Sequence, residues 1–89
     1  IENSNEPKET VLNNTILLYP NPAKEILTLQ SEKSVSYSVE IYDTMGQLIE
    51  RDNVNVNGNI TVSHLKRGIY IFKIFNQNEL VKIQKIVLQ

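Results

Sequence analysis

From Ile16 onward no segment holds a helical period for long, and apolar residues instead alternate with polar ones in short runs broken by turn residues. Tyr37, Val39 and Ile41 interleave with Ser38, Glu40 and Tyr42, and Tyr70, Phe72 and Ile74 share one parity while Lys73 marks the other as solvent. A period of two is what a half-buried strand requires, because successive side chains point to opposite faces. Turn signals recur about every 8–12 residues, the spacing of a sandwich or small barrel of short strands. The pattern predicts about seven short antiparallel strands in an all-β sandwich or small barrel and no stable helix.

The strands can be placed. Ile16–Tyr19 stops at Tyr19-Pro20-Asn21-Pro22, where two prolines fix φ twice and remove two N–H donors, so neither a helix nor a central strand can pass through. This is a rigid corner. Ile26–Gln30 follows with Leu27 and Leu29 on one face, then Tyr37–Tyr42, then a turn at Asp43-Thr44-Met45-Gly46 in which Gly46 suits a positive φ. Gln47–Asp52 is the returning strand. Val54–Val62 reads as a hairpin with the three-residue loop Asn57-Gly58-Asn59, pairing Val56 with Ile60 and Val54 with Val62 so that all four share one face. Ile69–Phe75 and Leu80–Leu88 finish the domain. In the last strand Val81 and Ile83 take one parity and Ile86 and Leu88 the other, which predicts a bulge or a change of partner near Gln84-Lys85.

Residues 1–15 differ from the rest. They are polar, contain Pro7, carry Glu2, Glu6 and Glu9 against Lys8, and show no sustained period. That is linker composition, so the expected division is a flexible leader, 1–15, and one folded domain, 16–89. The tail is basic, with Lys66, Arg67, Lys73, Lys82 and Lys85 against Glu79, although the whole chain has a net charge of only −1. Such a balance gives no reason to expect nucleic acid or an anionic membrane as partner. No apolar run approaches the roughly 18–20 residues of a spanning helix, so direct membrane insertion is not expected. The chain starts with Ile1 rather than Met and contains no basic-plus-apolar signal-peptide pattern, so it reads as a fragment of something longer.

Catalytic chemistry is hard to assemble. The chain has one histidine, His64, and no cysteine, which excludes Cys–His nucleophiles and the usual zinc sets. Ser63 and His64 are adjacent and point to opposite faces in extended backbone, so they do not make a catalytic pair; His64 is expected in a turn. The acidic residues mostly sit beside Lys or Arg, and the three glycines lie apart. No catalytic, metal-ligating or cofactor-binding residues are therefore predicted. The other reading of such a domain, an adhesion or carbohydrate-binding module of immunoglobulin or fibronectin type, needs exposed aromatics; Tyr42 is its best candidate.

One local pattern favours the sandwich over the barrel. In Leu65-Lys66-Arg67-Gly68-Ile69-Tyr70-Ile71-Phe72, Gly68 stands two residues before a strand-opening Tyr70. This resembles the tyrosine corner of immunoglobulin-like domains, in which the phenol bonds to upstream backbone. The larger order resembles a family. Tyr19-Pro20-Asn21-Pro22-Ala23 with Leu27-Thr28-Leu29, then Val39-Glu40-Ile41-Tyr42-Asp43 with Gly46-Gln47-Leu48-Ile49, then Leu65-Lys66-Arg67-Gly68-Ile69-Tyr70, then a Lys-bearing final strand, is similar to the type A C-terminal sorting domain of the type IX (Por) secretion system. Pro20, Asn21, Pro22, Gly46, Gly68 and Tyr70 carry the likeness.

That resemblance implies a non-catalytic, immunoglobulin-like export signal in a Gram-negative bacterium. The cargo would cross the periplasm, be recognised with its tag by the outer-membrane translocon and shuttle proteins, and lose the tag to a sortase-like cysteine protease cutting within residues 1–15. It would end on the cell surface, often joined to lipopolysaccharide, or be released. Lys82, Ile83, Lys85, Ile86 and Val87 are the residues expected to be read by the translocon, since an edge strand can accept another chain through its unpaired backbone; weak edge-strand self-association is open to it for the same reason.

Overall fold

A computed structural model describes residues 16–33, 35–55 and 57–89. The described residues form seven strands and no helix: β1 (Ile16–Tyr19), β2 (Ile26–Ser31), β3 (Ser36–Tyr42), β4 (Leu48–Asn55), β5 (Asn59–Thr61), β6 (Gly68–Asn76) and β7 (Glu79–Leu88). They make two antiparallel sheets, β1-β2-β5 and β4-β3-β6-β7. The expected linker, residues 1–15, lies outside the described residues.

The alternation read from the sequence is the alternation of burial. Ile16, Leu18, Leu27, Leu29 and Ile60 face inward from the three-stranded sheet. Tyr37, Val39, Ile41, Val54, Tyr70, Phe72, Ile74, Ile86 and Leu88 face them from the other. Aliphatic side chains fill the space between the layers around Phe72, whose full burial contributes ~2–3 kcal/mol. No polar or charged residue is buried among those described. At the β3–β4 turn Gly46 has φ +85°, and the Asp43 carboxylate accepts from the Met45 and Gln47 N–H groups at 2.9 Å each.

Two sequence expectations need correction. Val54 to Val62 is not a hairpin. β4 continues to Asn55 and sets Val54 opposite Tyr37, whereas β5 sets Ile60 opposite Leu27 in the other sheet. Val62 pairs with neither; its N–H donates to the Glu25 carbonyl at 2.8 Å, and Val56 lies outside the described residues. One-face burial is met differently: Val54 and Ile60, on two facing sheets, share the core without pairing with each other. The turn, with Asn57 at φ +62°, is stitched to β2 by Asn57 N–H to Leu29 O (2.7 Å) and Leu29 N–H to Gly58 O (3.0 Å).

The bulge in β7 is also displaced. Ile74 faces Lys82 and Phe75 faces Leu80, so the extra residue is Val81, which turns to pack against the core. From Lys82 to Leu88 the register is regular through Gln84-Lys85. Ile83 therefore sits on the outer face, 55% exposed, and the inner positions Lys82 and Gln84 occur where the sandwich opens beside β1; the Gln84 side-chain amide reaches the Leu18 carbonyl at 3.4 Å.

Candidate functional site

β7 is the end strand of the four-stranded sheet, and its outward edge is treated differently along its length. The half near the chain end is tied to the proline corner. Asn21 Nδ2 donates to the Lys85 carbonyl at 2.9 Å and Asn21 Oδ1 accepts from the Val87 N–H at 3.0 Å. One side-chain amide thus does what a neighbouring peptide group would do. Two residues on, Ala23 N–H donates to Val87 O and Ala23 O accepts from Gln89 N–H, both at 2.8 Å, which makes a one-residue parallel bridge with Leu88. Pro20 and Pro22 follow cis peptide bonds and have no N–H, so the corner can offer the β7 edge only Asn21 and Ala23.

Arg67 closes the same corner from the β5–β6 connection. Its guanidinium donates to the carbonyls of Lys24, Val62 (2.7 Å), Leu65 (2.7 Å) and Gln89 (3.4 Å). A planar fork with five donors can hold several acceptors that an ammonium cannot. Next to it, Gly68 opens β6 at φ +149°, and the Tyr70 hydroxyl donates to the Lys66 carbonyl at 2.6 Å. That bond has the geometry of a tyrosine corner. The Pro20-Asn21-Pro22 corner and the Arg67-Gly68-Tyr70 turn, far apart in sequence, thus meet around the last residues of β7. Gly46 lies in the β3–β4 turn and is not part of this cluster.

The five residues expected to be read by a translocon do not share a face. Ile83, Lys85 and Val87 point outward, opposite Lys73, Ile71 and Ile69 on β6. Lys82 and Ile86 have the inward parity, and Ile86 is wholly buried. A partner touching the folded surface meets the first three, with exposed Leu80 and Ile69 beside them, while Ile86 serves the core.

Sequence reasoning missed Asn21's amide and Arg67 as bond-makers. An Asn held between two prolines was the available signal, since its side chain carries both a donor and an acceptor where the prolines offer no N–H. Arg67 carried no signal beyond its place before a glycine.

Two polar clusters lie elsewhere. On the outer face Glu40 accepts from the Tyr42 hydroxyl at 2.6 Å and from Arg51 Nε at 3.0 Å, and Lys73 Nζ sits 4.6 Å from the Tyr42 ring centre. These bonds, first that from Tyr42 and then that from Arg51, hold the Glu40 carboxyl below its ordinary pKa. Tyr42 is half-buried with its hydroxyl engaged, so it is not the free aromatic a sugar-binding face needs. Between the sheets, His64, in the β5–β6 turn, bonds Glu50 on β4 at 2.6 Å. Burial would raise Glu50, but its bonds with His64 and Asp52 outweigh this and lower it. Asp52, desolvated and next to that carboxylate, is pushed up to about 6. Among the described residues no group of three or more His, Cys, Asp or Glu side chains is placed to hold a metal ion.

Comparison with known proteins gives one family. A family model described as a secretion system C-terminal sorting domain matches residues 17–89. No curated protein matches the chain.

Proposed function

From the premise that this chain belongs to the secretion system C-terminal sorting domains, the signals that route type IX cargo out across the outer membrane to the cell surface or beyond, we propose that it acts only as a tag and is read through the end of β7. The family makes the type IX machinery its partner. The finer steps are our reading: the domain folds from residue 16 onward, transits the periplasm attached to its cargo, is handed by shuttle proteins to the translocon, and is cut off within residues 1–15 by a sortase-like cysteine protease. It performs no bond chemistry of its own.

The observation that carries this reading is the state of β7, an end strand with exposed Ile83, Lys85 beside it, and its terminal residues pinned from two remote turns. A signal recognised by another protein needs a surface of fixed shape, and bonds from the proline corner and from Arg67 converge on the end of this strand. Of the five residues proposed for recognition, Ile83, Lys85 and Val87 would make contact, while Lys82 and Ile86 would hold the strand that presents them.

The test is export. Residues 1–89 fused behind a reporter with a signal peptide, in a host with this secretion system, should bring the reporter to the surface. A reporter left in the periplasm with an intact, folded domain would refute the tag.

A further inference from the structure

Among the described residues the β7 edge is met along only half of its length. Lys85 O, Val87 N–H, Val87 O and Gln89 N–H all point away from β6 and are met by Asn21 and Ala23. Bonding groups alternate in direction along an antiparallel ladder, so Ile83 N–H, Ile83 O and Lys85 N–H point the same way. Among the described residues no backbone group meets them, because β7 pairs with β6 alone in its sheet, β1 lies in the other sheet, and the proline corner reaches the edge only from Lys85 onward. Native edges that long are usually blunted by charge, bulge or cover. Here the bulge at Val81 ends the open stretch on one side and Asn21 ends it on the other.

We propose that Asn21 and the Val81 bulge frame a strand-sized slot, Lys82–Lys85, into which an extended, acidic segment of the export machinery adds as one more strand of the four-stranded sheet. The inference deepens the reading of β7 as the recognised surface and rests on it. Backbone donors and acceptors supply the attachment, and side chains supply the choice of partner. The outer face over the slot has Ile83 at its centre, exposed Leu80 at one end, Lys85 on the same strand and Lys73 directly across from Ile83. An apolar side chain flanked by acidic ones is complementary to that arrangement. A second copy of this chain is the poorer occupant, since it would bring a tail rich in Lys against another of the same sign.

The test uses the reporter fused to residues 1–89. Ile83→Pro removes the outward N–H and obstructs strand addition while leaving the ladder to β6, an edge position that proline tolerates. It should lower surface display at least tenfold, with circular dichroism and melting showing the purified domain folded. Ile83→Thr keeps the N–H and should retain display within about threefold; an equal loss in both variants would mean side-chain contact alone and overturn strand addition. Lys85→Glu changes only an exposed side chain, so it decides the matter should Ile83→Pro fail to fold: display should fall at least fivefold, and undiminished display would overturn the acidic partner. A dimer of the purified domain in sedimentation that Lys85→Glu strengthens would identify a second copy as the occupant and likewise overturn the proposal. If the unaltered reporter stays in the periplasm, the sorting role itself fails; if it is displayed and Ile83→Pro is displayed equally, only the slot fails.

Discussion

Arg67 offers the sharpest test of how the end of β7 is held. Arg67→Ala deletes donors to four carbonyls drawn from the proline corner, the β5–β6 turn and the last residue. The bond to Val62 is partly buried and keeps its full value, whereas water can reach the acceptors on Lys24, Leu65 and Gln89. Taking ~1 kcal/mol for the first, about half that for the next two and little for the long one to Gln89 gives a loss of about 2 kcal/mol. For a domain of this size that is a fall in Tm of about 8–16 °C. Arg67→Lys should recover less than half, because a single ammonium cannot span acceptors arranged around a planar fork.

Thermal unfolding followed by circular dichroism measures the total, and amide exchange locates it. Protection should drop first at Gln89, whose N–H bonds Ala23, and at Val87, whose N–H bonds Asn21, while the amides of β3 and β6 keep theirs. A Tm within ~2 °C of the parent, or full rescue by Lys, would show that the fork does not organise the corner.

Three further outcomes are expected. Tyr70→Phe, losing the hydroxyl bond to Lys66 O while keeping the buried ring, should cost about 1 kcal/mol in denaturant melts; no change would mean the corner bond is idle. Gly68→Val should cost ~1–3 kcal/mol through backbone strain alone, since a Cβ there meets nothing within 4 Å but φ is +149°; an unmoved Tm would refute that cause. Asp52→Asn should flatten the pH profile: with its folded pKa raised from 3.8 to about 6, Asp52 makes the native state hold the extra proton, so its contribution is present below about pH 4 and lost as pH rises through 6. The variant should therefore melt higher than the parent at pH 7.5 and level with it near pH 4, and a constant offset across that range would sink the assignment.

What the sequence showed and what it hid follow from the range of the interactions. Alternation is local, so Tyr37, Val39 and Ile41, and Tyr70, Phe72 and Ile74, could be assigned to the core from their neighbours alone. Turn chemistry is local too: Gly46 and the Asp43 side chain suffice for their turn. Pairing is not local. Val54 and Ile60 satisfy the hairpin rule as partners of Val62 and Val56, and only the presence of Tyr37 and Leu27 in separate sheets assigns them elsewhere. The parity break in β7 was legible, but its position was not, because an exposed Ile83 and a buried one look alike in a chain. Bonds such as Asn21 to Val87, or Arg67 to Val62 and Gln89, depend on a corner brought against a distant strand, and no spacing announces them.

The same long range bears on how an export signal of this kind can be dissected. Removing residues 85–89 takes away Lys85 and Val87 from the surface, but it also removes Ile86 and Leu88 from the core and leaves Asn21, Ala23 and Arg67 without their partners there. Such a deletion damages the presenting structure and the presented residues together, so loss of export after it is equally expected from a signal that is a folded shape and from one that is a terminal string of residues. Substitutions separate the two. Arg67→Ala and Tyr70→Phe loosen the corner without altering a residue of β7, whereas Lys85→Glu alters β7 while sparing the corner's bonds, which use the Lys85 carbonyl and the backbone of Val87 and Gln89 but not the Lys85 side chain. A folded signal predicts that both classes impair export, the first in proportion to the stability lost and the second without any loss of stability. A linear signal predicts that only the second class matters. The convergence of two remote turns on this one edge is the physical reason to expect the former.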